Sequence, residues 1–164
     1  MKESNSQAFR RGFRDGIPIG LGYLAVSFSI GIAARNIGLN AFQGFLMSLL
    51  NNASAGEYDG LTVIAANSPY IEVAIVTLIT NARYLLMSCA MSQRLSPDLS
   101  LGHRLLMSYD ITDELFGIAI SRPGTLNPYY TYGAMVTPLP GWAFGTMLGV
   151  IAGNIMSPRM VSAF

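Results

Sequence analysis

The sequence predicts an all-α, polytopic helical membrane protein with about five hydrophobic segments, and two observations carry that prediction. Only 12% of the 164 residues are charged, 51% are apolar, and the mean hydropathy is +0.41. A soluble domain needs about a quarter of its residues charged to cover its surface. The apolar residues also fall in runs of about 20, the length of a bilayer-crossing helix, rather than in the short alternations of a barrel strand. Lipid admits only helices and closed barrels, so the expectation is one helical transmembrane domain over residues 1–164.

The elements follow in order. Lys2, Arg10, Arg11 and Arg14 precede Gly16–Ala34, a run of 19 residues without charge that spans about 28 Å as a helix. Residues 1–15 therefore read as a basic, amphipathic, cytoplasmic lead-in beside the headgroups. The apolar run is longer than a signal-peptide core and more membrane segments follow, which favours a retained first span over a cleaved leader. Segment two, Asn40–Asn67, contains Asn51, Asn52, Ser54, Gly56, Glu57, Asp59 and Gly60. Segment three, Pro69–Ser92, contains Asn81 and Arg83. Segment four, Leu101–Ile120, carries Asp110, Asp113 and Glu114. Segment five begins at Tyr129 and is interrupted by Pro138 and Pro140.

Segments two and five (40–67 and 129–157) would each reach about 42 Å as continuous helix, more than the bilayer core. Each holds a breaker, Gly56 and Gly60 in one and Pro138 and Pro140 in the other. The plain reading is a kink or a surface loop between short helices. The functional reading is a pair of discontinuous membrane helices whose half-helix ends face a cavity, as transporters build solute and ion sites. The order plain, broken, plain, then plain, broken, end suggests a repeat whose second half lacks its last member. The chain stops at Val161-Ser162-Ala163-Phe164 without a polar tail, so further C-terminal spans are expected to be missing.

Charge bias gives a topology. If every segment crosses once, basic residues divide almost evenly between the two sides. If segment two returns to its starting side, Lys2, Arg10, Arg11, Arg14, Arg94, Arg104 and Arg159 fall inside against Arg35 and Arg122. The positive-inside rule favours the second arrangement.

Ionisable groups at membrane depth are costly and mark pathways or ion pairs. As a continuous helix, segment three places Thr77, Asn81, Tyr84 and Ser88 on one polar arc that Arg83 extends. Segment four places Asp110, Asp113 and Glu114 on one face. That face is either a water-facing amphipathic surface or a buried acidic stripe opposite Arg83, and in the second case either an ion pair or a proton relay. Around the first break, Asn51, Asn52, Ser54 and Glu57 offer oxygens to an ammonium or cation, and helix amino termini would suit a carboxylate. Acidic residues in a turn are also often simply solvated. The candidate solute and ion pathway is thus Asn51, Asn52, Ser54, Gly56, Glu57, Asn81, Arg83, Tyr84, Asp110, Asp113 and Glu114.

Other classes are disfavoured. A net charge of +1 does not suit a nucleic-acid binder. One Cys (Cys89) and one His (His103) leave no cysteine or histidine metal cluster, and no cofactor or catalytic residue is expected. A Ser54–His103 hydrolase dyad lacks a glycine-flanked serine elbow. Cys89 reads as an inert thiol. Trp142, Tyr129, Tyr130 and Tyr132 read as an interfacial aromatic belt.

Three stretches carry a resemblance. They are Phe9-Arg10-Arg11-Gly12-Phe13-Arg14-Asp15-Gly16-Ile17-Pro18-Ile19-Gly20, then Ser48-Leu49-Leu50 through Ser54-Ala55-Gly56-Glu57-Tyr58 with Asn81-Ala82-Arg83-Tyr84-Leu85-Leu86, and finally Thr112-Asp113-Glu114 with Gly145-Thr146-Met147-Leu148-Gly149. In this order and spacing they resemble the AzlC family, the large subunits of bacterial branched-chain amino-acid exporters, over nearly the whole chain. The chain departs from the pattern where relatives carry Gln-Phe in place of Glu57-Tyr58 and Arg-His in place of Arg83-Tyr84. The resemblance implies export of valine-like amino acids across the bacterial cytoplasmic membrane by a multi-pass, non-enzymatic protein. It also implies a small hydrophobic AzlD-type partner subunit and about two further spans. A non-transporting structural or regulatory subunit is the alternative.

Overall fold

A computed structural model describes residues 3–155; residues 1–2 and 156–164, among them Lys2, Arg159 and the Val161–Phe164 end, lie outside the described residues. The described chain forms α1 (Asn5–Asn36), α2 (Ala41–Asn51), α3 (Ser54–Ala65), α4 (Tyr70–Thr80), α5 (Arg83–Ser92), α6 (Leu101–Ser108), α7 (Asp113–Ile120), α8 (Pro128–Met135) and α9 (Pro138–Ile155), with no strand among the described residues. It is an all-α protein. The chain divides into two compact units. The first contains the residues up to Leu21 and Arg83–Leu139; the second contains Gly22–Ala82 and the residues from Pro140 onward.

Among the described residues, two helical runs are long and apolar enough to cross a bilayer: α1, and Pro128–Ile155 comprising α8 and α9. The α4 and α5 pair adds a third if counted as one span. The five segments expected from the sequence therefore do not all supply spanning helices. The lead-in expected at 1–15 is, from Asn5, the first part of the same helix as the span, with Pro18 inside it.

Segment two breaks before its glycines, segment three breaks where none is expected, and segment five breaks directly before Pro138. In segment two, Gly56 and Gly60 lie inside α3, and the interruption is at Asn52 and Ala53. Asn52 takes the left-handed conformation (φ 46°, ψ 39°) and donates its N–H to the Ser48 carbonyl, a role asparagine tolerates better than most residues. Ser48 Oγ in α2 lies 2.8 Å from Glu57 Oε2 in α3, although nine residues of continuous helix would separate them by about 14 Å, so the chain turns back on itself at this break. In segment three, α4 stops at Thr80 and α5 starts at Arg83, so the single polar arc drawn from Thr77 to Ser88 does not exist. In segment five, Pro138 and Pro140 sit in the first turn of α9, where a missing N–H costs little, and only Val136 and Thr137 separate α8 from α9.

Segment four departs most. It is two eight-residue helices separated by Tyr109–Thr112, about 12 Å each and too short to cross. Its two flanking loops meet: Leu126 N–H donates to the Arg94 carbonyl at 2.8 Å, and the Arg94 guanidinium donates to the carbonyls of Ile120, Arg122 and Gly124. Both loops lie with the amino-terminal turns of α1, because Glu3 pairs with Arg11 at 3.3 Å and with Arg122 at 3.7 Å. Segment four leaves and returns to one end of the first unit. Arg122 therefore stands beside Arg10, Arg11 and Arg14, not across the membrane from them as the charge tally had it.

Small residues let the helices approach. A Cβ on Gly12 would collide with the Tyr130 carbonyl, and one on Gly133 with the Phe9 carbonyl. In the second unit Gly149 meets the Phe28 carbonyl and Gly31 the Thr146 carbonyl. Such contacts replace the hydrophobic drive that lipid removes.

Candidate functional site

The second unit buries a carboxyl. Glu57, in the first turn of α3, is 1% exposed. Its Oε1 accepts from Trp142 Nε1 at 2.6 Å and its Oε2 lies 2.8 Å from Ser48 Oγ. Ser48 Oγ is 2.7 Å from Thr146 Oγ1, which lies 3.3 Å from the Trp142 carbonyl. The chain is thus carboxyl, hydroxyl, hydroxyl, carbonyl, joining α2, α3 and α9. Each hydroxyl has one proton. If the carboxyl is protonated, it donates to Ser48, Ser48 to Thr146 and Thr146 to the carbonyl, and every link is made. If it is ionised, Ser48 donates to it and the Thr146 proton serves only one of its two neighbours. No cation lies within ion-pair distance of Glu57 among the described residues. The fold places the groups simply: Ser48 and Glu57 flank the reversal at Asn52, and Trp142 and Thr146 are one helical turn apart on α9.

Beside it, the amino end of α3 meets the carboxyl end of α4. Ala53, the N-cap of α3, supplies no side-chain hydrogen bond to the first turn. One turn in, Gly56 is buried against Asn81: a Cβ there would lie 2.8 Å from Asn81 Nδ2. Asn81 Oδ1 is buried without a hydrogen-bond partner among the described residues. Thr80 Oγ1 donates to Asp59 Oδ2 at 2.6 Å, tying the same helices together. Helix-end amides, an amide side chain and a hydroxyl–carboxylate pair thus collect where two segments are broken. Donors of this kind suit a carboxylate, and the oxygens suit an ammonium.

The first unit holds the remaining charged candidates. Arg83, opening α5, pairs with Asp113 at 2.7 Å, with side chains 45% and 47% exposed, and its guanidinium lies 5.4 Å from the centre of the Tyr84 ring. Asp113 and Glu114 are exposed in the first turn of α7, where negative charge complements the helix dipole. Thr112 caps that helix by accepting from Leu115 N–H. Asp110, in contrast, sits in the break and is 1% exposed. The three acids therefore do not share one helical face. His103 Nδ1 lies 2.6 Å from Tyr132 Oη. Among the described residues no group of three or more His, Cys, Asp or Glu is arranged to hold a metal.

Of the residues singled out by sequence, Asn52, Gly56, Glu57 and Asn81 belong to the polar region of the second unit, while Asn51 and Ser54 point outward. Arg83, Tyr84 and Asp113 form one group in the first unit, with Glu114 next to it in sequence. The pathway drawn from the sequence leaves out Ser48, Thr146, Thr80 and Trp142, although Ser48 and Thr146 fall in stretches that carry the family resemblance. Trp142 is 3% exposed and bonded to Glu57, not an interfacial anchor. Tyr130 is likewise buried and donates to Asp15 at 2.9 Å. The spacing Trp142–Thr146 is a one-face helical pair and was the available signal.

The chain is 28% identical over 153 residues to an uncharacterized membrane protein of Archaeoglobus fulgidus, covering 93% of this chain and 66% of that one. It is 24% identical to the inner membrane protein YgaZ of Escherichia coli, covering 91% and 62%. An uncharacterized membrane protein of Helicobacter pylori is 26% identical, covering 92% and 67%. The chain thus spans about two thirds of the length of these relatives. No solved structure matches it. The family model described as AzlC protein matches residues 18–156, and on that match the chain belongs to the AzlC family of membrane proteins.

Proposed function

We propose that this chain is part of a secondary transporter that exports branched-chain amino acids such as valine across the bacterial cytoplasmic membrane, together with a small hydrophobic AzlD-type subunit. The observation that carries the reading is the meeting of two interrupted segments at Gly56 and Asn81 in the second unit. Open helix ends and uncommitted polar atoms at membrane depth are costly unless they line a pathway. There the first turn of α3 would take the solute carboxylate, and Asn81 with the neighbouring oxygens its ammonium. The Arg83–Asp113 pair would organise charge elsewhere on the route.

The topology supports a membrane protein with its amino terminus inside. Among the described residues, with segments two and four folded back, α1, the α4–α5 pair and the α8–α9 run cross. Arg10, Arg11, Arg14, Arg94, Arg104 and Arg122 then lie on the amino-terminal side, against Arg35 on the other. Among the described residues that is six against one, where the arrangement drawn from the sequence puts five against two.

The test is counterflow of labelled valine, leucine and unrelated solutes in vesicles, with and without the small partner. Flux requiring both chains, and lost in Gly56→Val, supports the exporter. Absence of flux from any full-length pair of relatives supports a structural or regulatory subunit instead.

A further inference from the structure

The first unit gathers arginines that the transport reading does not use. Arg10, Arg11, Arg14 and Arg122 line one 470 Å³ cleft with Asp15. It draws residues from two separate places, the amino-terminal turns of α1 and the loop before α8. The acids nearby are already engaged. Glu3 pairs with both Arg11 and Arg122, and Asp15 accepts from the buried Tyr130 hydroxyl. Arg122 is held in place by its guanidinium lying 5.0 Å from the centre of the Tyr130 ring. Arg10 and Arg14 are exposed and have no carboxylate partner among the described residues. They stand one helical turn apart, so their like charges repel in the absence of an anion.

The same helix shows what lies next to the cleft. Phe9, Phe13 and Ile17 are exposed at four-residue spacing beside Arg10 and Arg14. Below them α1 continues as an apolar, membrane-length helix. A cationic cleft therefore borders an apolar stripe that leads toward the hydrocarbon.

We propose that this cleft is a binding site for the phosphodiester headgroup of an anionic phospholipid, with Arg10 and Arg14 on the phosphate oxygens, Arg122 closing the far wall and the acyl chains along Phe9, Phe13 and Ile17. Guanidinium groups suit phosphate because their paired N–H donors match its oxygens.

The chain is extracted from vesicles of mixed phosphatidylglycerol and phosphatidylcholine, and retained lipids are counted by native mass spectrometry. Phosphatidylglycerol should be retained in preference to phosphatidylcholine. Arg14→Gln should lower that retention about fivefold, the contribution of one basic side chain at an anionic surface. Arg35→Gln removes the same charge outside the cleft and should leave retention unchanged. Equal retention of both lipids, or equal loss in both variants, overturns the site. Millimolar inorganic phosphate is the third arm. If it displaces the lipid and its own ³¹P signal broadens with wild type but not with Arg14→Gln, the cleft takes free phosphate and the lipid assignment is overturned.

Discussion

Replacing Glu57 tests the buried hydrogen-bond chain, because alanine and glutamine fail in different ways. Alanine removes the acceptor of Trp142 Nε1–H and the partner of Ser48 Oγ, both buried in the second unit. An orphaned buried polar group costs about 1–3 kcal/mol, and the vacated side-chain volume adds a cavity cost. Glu57→Ala should therefore destabilise the protein by roughly 2–5 kcal/mol. Glutamine keeps Oε1 for Trp142 and presents an N–H donor to Ser48. Ser48 then donates to Thr146 and Thr146 to the Trp142 carbonyl, so each link survives, and the cost should stay below about 1 kcal/mol. Glutamine is also the residue the family resemblance places at this position. The assay is built in: Trp142 is the only tryptophan of the chain, so its emission reports both unfolding in detergent and the polarity around its own N–H. A red-shifted native emission and a clearly lower midpoint are expected for alanine, and near wild-type behaviour for glutamine. Equal destabilisation by both substitutions, or none by alanine, would show that the hydrogen-bond chain does not hold these helices together.

Three further outcomes are expected. On the proposed transport reading, Arg83→Ala should abolish export while leaving membrane insertion intact, because a half-exposed ion pair contributes at most about 1 kcal/mol to stability; flux and membrane yield measured together check it, and normal flux removes Arg83 from the pathway. Gly133→Leu should prevent stable packing of α1 on α8, at a cost of roughly 3 kcal/mol or more, since even a Cβ there meets the Phe9 carbonyl; detergent-resistant folded yield should collapse, whereas Gly117→Leu, which faces open space, should be tolerated. After Cys89 is replaced by serine, Asp113→Cys should react with an aqueous thiol reagent and Asp110→Cys should not, as their burial dictates; equal reactivity would contradict the break between α6 and α7.

Composition alone determined the class of this protein. A chain with so few charges can solvate little surface, so its apolar runs suit lipid as helices, and α1 and the α8–α9 run are long and apolar enough to cross it. The polar exceptions were legible one by one, because a charge or an amide is conspicuous against an apolar background; Glu57, Asn81, Arg83 and Asp113 stood out in this way. Their partners were not legible. Ser48, Thr146 and Trp142 are ordinary residues in a membrane helix until the reversal at Asn52 brings α2, α3 and α9 around one carboxyl. The break in segment two was misplaced for a related reason. Gly56 and Gly60 mark close approach and helical tolerance rather than a stop, and Pro138 starts a helix because its missing N–H falls in the first turn. Segment four read as a span since its length and apolarity suffice, yet Asp110 and Thr112 interrupt it. Only the bonds between the Arg94 and Leu126 loops show that it turns back. Hydropathy records what each residue prefers as a solvent; which way the chain travels through that solvent depends on contacts between residues distant in sequence, and those exist only in the folded protein.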